Sequence, residues 1–90
     1  MKYTVTWKPE AERRLATLWL HATDRSAVTA AANEIDRRLR FNPEREGESR
    51  SQGRRVVLES PLGVLVKVEP EDQIVYVLTV WRFKEHPKTS

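Results

Sequence analysis

The hydrophobic pattern changes character near the middle of the chain. Tyr3, Val5 and Trp7 alternate with Lys2, Thr4 and Thr6, the period of a half-buried strand. Pro9 follows at a position suited to the first turn of a helix, with Glu10 and Glu12 favourable beside its positive end. Ala11, Leu15, Leu18, Trp19 and Ala22 then recur at helical spacing and form one apolar stripe, which Arg13, Arg14 and Thr17 avoid. Thr23, Asp24, Arg25 and Ser26 break the stripe, and either Asp24 or Ser26 suits the N-cap of a second helix. Val28, Ala31, Ala32, Ile35 and Leu39 form the apolar face of that helix. Glu34 and Arg38 are spaced for an i, i+4 pair, with Arg37 and Arg40 extending the exposed side. Asn42-Pro43 ends the helix, because the residue before proline resists helical geometry. So short a break between the two helices implies a hairpin.

The second half reads as strands. Val56, Val57 and Leu58 lie in a first one, from Arg55 to Glu59. Ser60-Pro61-Leu62-Gly63 turns the chain into a second, Val64 to Val68. Glu69-Pro70-Glu71-Asp72 turns it again into a third, Ile74 to Phe83, whose apolar residues occupy both faces. The order is βααβββ. It predicts an α+β domain, with a helical hairpin packed on a curved antiparallel sheet. Residues 1–85 make one domain, and 86–90 read as a frayed tail.

Composition narrows the function classes. The chain has no cysteine, which excludes disulfides and thiolate catalysis and fits a reducing cytoplasm. Its two histidines, His21 and His86, argue against a dedicated transition-metal site. No apolar run approaches the roughly 20 residues of a membrane span. The net charge is +3, and arginine predominates among the 16 basic residues. Arginine is the better bidentate phosphate ligand, so the excess points to nucleic acid or an acidic partner.

The charge concentrates in the loop from Asn42 to Arg55, where Arg45, Arg50, Arg54 and Arg55 stand among Glu44, Glu46 and Glu48 with Gly47 and Gly53 between. Charge alone favours a solvated linker. The wider pattern adds weight. Tyr3-Thr4-Val5-Thr6-Trp7 with Ala11 and Leu15, Ile35 to Leu39 followed by Asn42-Pro43 and Gly47, Arg54-Arg55, Leu62 to Val68, and Val75 to Trp81 occur in an order that resembles the RelE/ParE family of bacterial type II toxins. The resemblance spans nearly the whole chain.

Several expectations follow from that resemblance. Many members are ribosome-associated endoribonucleases that cut messenger RNA without a metal or other cofactor. ParE-type members inhibit DNA gyrase instead. Each is neutralised by a cognate antitoxin protein. In the nuclease members the ribose 2′-hydroxyl attacks the adjacent phosphate, which requires a base, cations for the developing charge and an acid for the leaving oxygen. Here Glu48 is the candidate base, and Arg50, Arg55 and Arg82 complete the expected catalytic set. Arg54, Lys67 and Trp81 are expected to contact RNA. Strand alternation sends Arg54 and Arg55 to opposite faces, and Arg55 is the one expected in the cleft, opposite Arg82. Arg82 scarcely gives up its proton, so it is a phosphate ligand rather than an acid. His86 has the right titration range but lies in the tail.

Two departures from the family pattern stand out. Gly63 and Val66 occupy positions where nuclease members carry an arginine and, three residues on, a tyrosine. The usual late aromatic acid–base residue is also missing, unless Phe83 marks its place, and phenylalanine cannot transfer a proton. These departures leave open a gyrase-directed toxin, or a silent member that only binds its antitoxin. Trp7 and Trp19 read as core residues, since both lie on apolar stripes, while Trp81 suits base stacking and edge packing equally. Arg37, Arg38 and Arg40 suit ribosomal RNA or a solvated helix face.

Overall fold

A computed structural model describes residues 2–83. The chain runs through β1 (Thr4–Trp7), α1 (Pro9–His21), α2 (Arg25–Arg40), a 3-10 turn at Pro43–Arg45, β2 (Glu48–Ser49), a second 3-10 turn at Ser51–Gly53, β3 (Arg54–Glu59), β4 (Leu62–Glu69) and β5 (Ile74–Arg82). The five strands form one sheet in the order β1-β5-β4-β3-β2. From β2 to β5 the sheet is antiparallel, as the turn signals require. β1 joins its far edge in parallel with β5, in register from Thr4 opposite Ile74 to Trp7 opposite Val77. The sheet is therefore mixed, an antiparallel meander with one parallel edge strand. β2 pairs only two residues with β3, too few to leave a periodic signal in the sequence.

Both helices cover one face of this sheet. Leu62, Val64, Val66 and Val68 alternate along β4 and are buried with Val57 of β3 and Val75, Val77 and Val80 of β5. Ala11 of α1 and Val28, Ala31, Ile35 and Leu39 of α2 close the core from above. A bulge explains why β5 looked apolar on both faces. Leu65 is opposite Thr79 and Val66 opposite Val77, so Leu78 has no partner in β4. The extra residue resets the alternation and lets Val77 and Val80 both face the helices.

Asp24 is the N-cap of α2, its Oδ1 accepting from the Ala27 N–H at 3.0 Å. Arg14, off the apolar stripe, finds a specific use. β1 ends at Trp7 and leaves the outer edge of β5 uncovered beyond Val77. Arg14 Nε donates to the Val80 carbonyl there at 2.6 Å. The expected core position of Trp19 does not hold, for its side chain is 38 % exposed. α1 contributes Ala11 alone to the fully buried core. The Glu34–Arg38 pair is also replaced: Glu34 bonds Arg37 at i, i+3, and Arg38 turns toward the loop. Among the described residues no helix is long and apolar enough to cross a membrane. The expected tail, His86 included, lies outside the described residues.

Candidate functional site

The charged loop is folded back onto the sheet rather than left as a linker. Gly47 makes this possible. Its φ is +65°, and a Cβ there would sit 2.0 Å from the Val56 carbonyl oxygen, so only glycine fits. The chain then pairs Glu48 with Val56 and Ser49 with Arg55. It reverses through Ser51–Gly53, with the Arg50 N–H donating to the Arg54 carbonyl at 2.7 Å. Arg55 Nε donates to the Glu46 carbonyl at 2.6 Å, and its Nη2 to that of Gly47 at 3.3 Å. Arg38 anchors the same loop from α2. Its Nε meets Glu46 Oε1 at 2.5 Å, and its Nη1 meets Glu59 Oε1 at 3.1 Å and the Leu58 carbonyl at 3.0 Å.

The folded loop encloses a cavity of about 290 Å³ against the end of β4, lined by Ser49, Arg50, Arg54 and Arg55 with Glu44, Gly53, Val68 and Pro70. Three of the expected phosphate ligands thus share one cavity. Glu44 is held by a hydrogen bond from the Tyr3 hydroxyl at 3.1 Å. Burial, with that bond and the Glu44 charge, raises the Tyr3 hydroxyl above its ordinary titration range. Glu48 stands just outside the lining, exposed, and pairs with Arg50 at 3.2 Å. Lys67 is directly opposite Arg54 in β4 and pairs with Glu69 at 3.5 Å.

The sheet faces differ from the expectation for Arg55, and Arg82 lies away from the cavity. Arg55 is opposite Val66, on the helix-covered side, whereas Arg54 shares the open face with Lys67. Arg82 is opposite the buried Leu62 at the far end of β4. Along the register the residue across from Glu48 is Thr79, by way of Val56 and Leu65, and not Arg82. Three strand spacings and three residues along the strand separate Glu48 from Arg82, roughly 17 Å. Trp81 lies over Gly63, where a Cβ would come 2.6 Å from the indole. No feature of the pattern announced Arg38 as the anchor of the loop, because its partners are 8 and 21 residues away.

A second concavity, about 540 Å³, opens between α1 and α2. Trp7, Leu15, Trp19 and Val28 give it an apolar floor, and Glu12 and Asp36 lie on its rim. Trp19 is fixed in place by a hydrogen bond from Nε1 to Thr29 Oγ1 at 3.1 Å and by Arg25 at 4.7 Å over its ring.

No protein-family model matches this chain, and no curated protein matches it. Solved structures do. A chain of the toxin–antitoxin complex RelBE2 from Mycobacterium tuberculosis superposes with a TM-score of 0.74 at 22 % identity, over 91 % of this chain and 92 % of the other. A chain of the chromosomal ParDE TA system from P. aeruginosa superposes with a TM-score of 0.65 at 15 % identity, over 92 % and 98 %. The chain has the RelE/ParE-like fold.

Proposed function

We propose that this chain, built on the RelE/ParE-like fold, is the toxin of a type II toxin–antitoxin pair and acts on messenger RNA as an endoribonuclease. Full-length likeness to chains from two toxin–antitoxin complexes carries the first part of the reading. The apolar groove between α1 and α2 supplies a surface for an antitoxin segment with an apolar face and basic flanks, complementary to Glu12 and Asp36. Convergence of Arg50, Arg54 and Arg55 on one cavity beside Glu48 supports the second part. Glu48 takes the 2′-hydroxyl proton, the 2′-oxygen attacks phosphorus, and the bond to the 5′-oxygen breaks. The departing 5′-oxygen takes its proton from solvent, and the products are a cyclic phosphate and a 5′-hydroxyl. The guanidinium groups balance the charge that builds on the non-bridging oxygens.

A gyrase-directed binding toxin is the second reading, and two observations favour it. Trp81 covers Gly63 and Val66 is buried, so the positions of the usual nuclease arginine and tyrosine offer no polar group. The segment from Asn42 to Glu59 contains no histidine or tyrosine to serve as the acid. Purified protein separates the readings. Incubation with translating ribosomes and a defined transcript should produce cuts that Glu48→Gln abolishes. Intact transcripts together with inhibited gyrase supercoiling would replace the first reading by the second.

A further inference from the structure

We propose that the arginine cavity is a site for a phosphate dianion, the terminal monoester of a single-stranded RNA or mononucleotide, and holds it more tightly than an internal phosphodiester. The inference deepens the ribonuclease reading and rests on it for the choice of RNA.

Charge balance is the first argument. Three arginines line the cavity with one acidic residue, Glu44, which already accepts the Tyr3 hydroxyl, while Glu48 just outside it pairs with Arg50. A monoester carries about −1.5 to −2 at neutral pH and a diester only −1, so the monoester matches the lining better. The second argument is a like-charge pair that Glu69 offsets on one side only. Arg54 and Lys67 are directly opposed across β3 and β4, a like-charge arrangement that costs stability unless an anion is near. Lys67 has Glu69, but no described residue pairs with the Arg54 guanidinium. Arg55 has its Nε and Nη2 held by loop carbonyls, which fixes the guanidinium with Nη1 left for a ligand. Such a lining would also favour the dianionic phosphorane of RNA cleavage over the monoanionic substrate, the preference that catalysis requires.

The test compares one short single-stranded RNA in three forms: with a 5′-phosphate, with a 3′-phosphate, and with hydroxyls at both ends. Binding is read by fluorescence anisotropy, with adenosine monophosphate and inorganic phosphate as competitors. At pH 7.5 one phosphorylated form should bind about tenfold more tightly than the unmodified strand, the effect of one further charge-assisted contact. The preference should weaken as pH falls through about 6 and be largely lost by about pH 5, because the second phosphate ionisation lies near 6. The protein groups around the cavity, namely Tyr3, Glu44, Glu48, Lys67, Glu69 and the three arginines, include no histidine to mimic that change. Arg50→Ala and Arg54→Ala should each erase the preference with circular dichroism unchanged. Glu48→Gln, which frees Arg50, should strengthen it. Competition by inorganic phosphate as effective as by the nucleotide would assign the site to the ion alone. Equal binding of all three RNAs, no binding, or a preference that survives both arginine variants would overturn the proposal. Growth arrest by the intact chain would be untouched by that result, so the toxin reading fails or stands separately.

Discussion

Adding one methyl group at Gly63 probes the packing that distinguishes this chain's open sheet face. Gly63 is buried opposite Trp81, and a Cβ would lie 2.6 Å from the indole Cε2 and Nε1 and 2.7 Å from Cζ2. Ordinary carbon contacts begin near 3.5 Å, so the ring must withdraw by about 1 Å. Overpacking of that kind costs about 1–3 kcal/mol. A Gly→Ala change with no obstruction would instead stabilise a strand by about 0.5 kcal/mol, through the unfolded chain. The indole decides the sign, which a double-mutant cycle can read. Gly63→Ala should be destabilising in the native background and neutral or slightly stabilising in Trp81→Ala, a coupling of about 1–3 kcal/mol. Urea unfolding followed by far-UV circular dichroism measures it. In a domain of this size each kcal/mol also moves the melting temperature by roughly 4–8 °C. Equal effects of Gly63→Ala in both backgrounds would refute the contact of the Trp81 ring with Gly63.

Further outcomes follow from the loop and its anchors. Arg38→Ala leaves Glu46 and Glu59 without their shared cation and should cost about 1–2 kcal/mol, with faster hydrogen exchange at residues 46–55 than in Arg37→Ala. Gly47→Ala should lose the β2–β3 pairing, read as disappearance of the Glu48–Val56 cross-strand nuclear Overhauser effects, because the new Cβ meets backbone at 2.0 Å. The hydrogen bond from Arg37 and its charge hold the Glu34 carboxyl below the usual carboxylate range. Its contribution is therefore complete above the unfolded value near 4.3 and is lost as pH falls through the lower folded value. Glu34→Gln should flatten the acid limb of stability only in that window, and carboxyl NMR titration should place Glu34 below the exposed glutamates.

The elements that patterned legibly are those whose signal is local. β1, both helices and β3 to β5 follow from period, caps and proline positions, and Asp24 takes the capping role its position suggested. Three features depended on distant partners. β1 pairs in parallel with a strand 70 residues away, Thr4 with Ile74, a choice that alternation within β1 cannot encode. The bulge at Leu78 is a matter of register between two strands. Trp19 sits on the α1 stripe, yet it lines the groove and bonds across to Thr29 of α2. At the site, grouping three loop arginines was within reach because they share one segment. Placing Arg82 among them was not, since the strand register carries it to the far end of β4.

The central claim is that the chain is a toxin which a cognate antitoxin neutralises, and growth of a bacterial host under induced expression tests it most directly. Colony counts are taken with the chain alone and with a candidate antitoxin co-expressed, at matched soluble levels. Arrest is expected with the chain alone, and restored growth with a candidate that co-purifies with it. Normal growth at high soluble expression of the chain alone would contradict it.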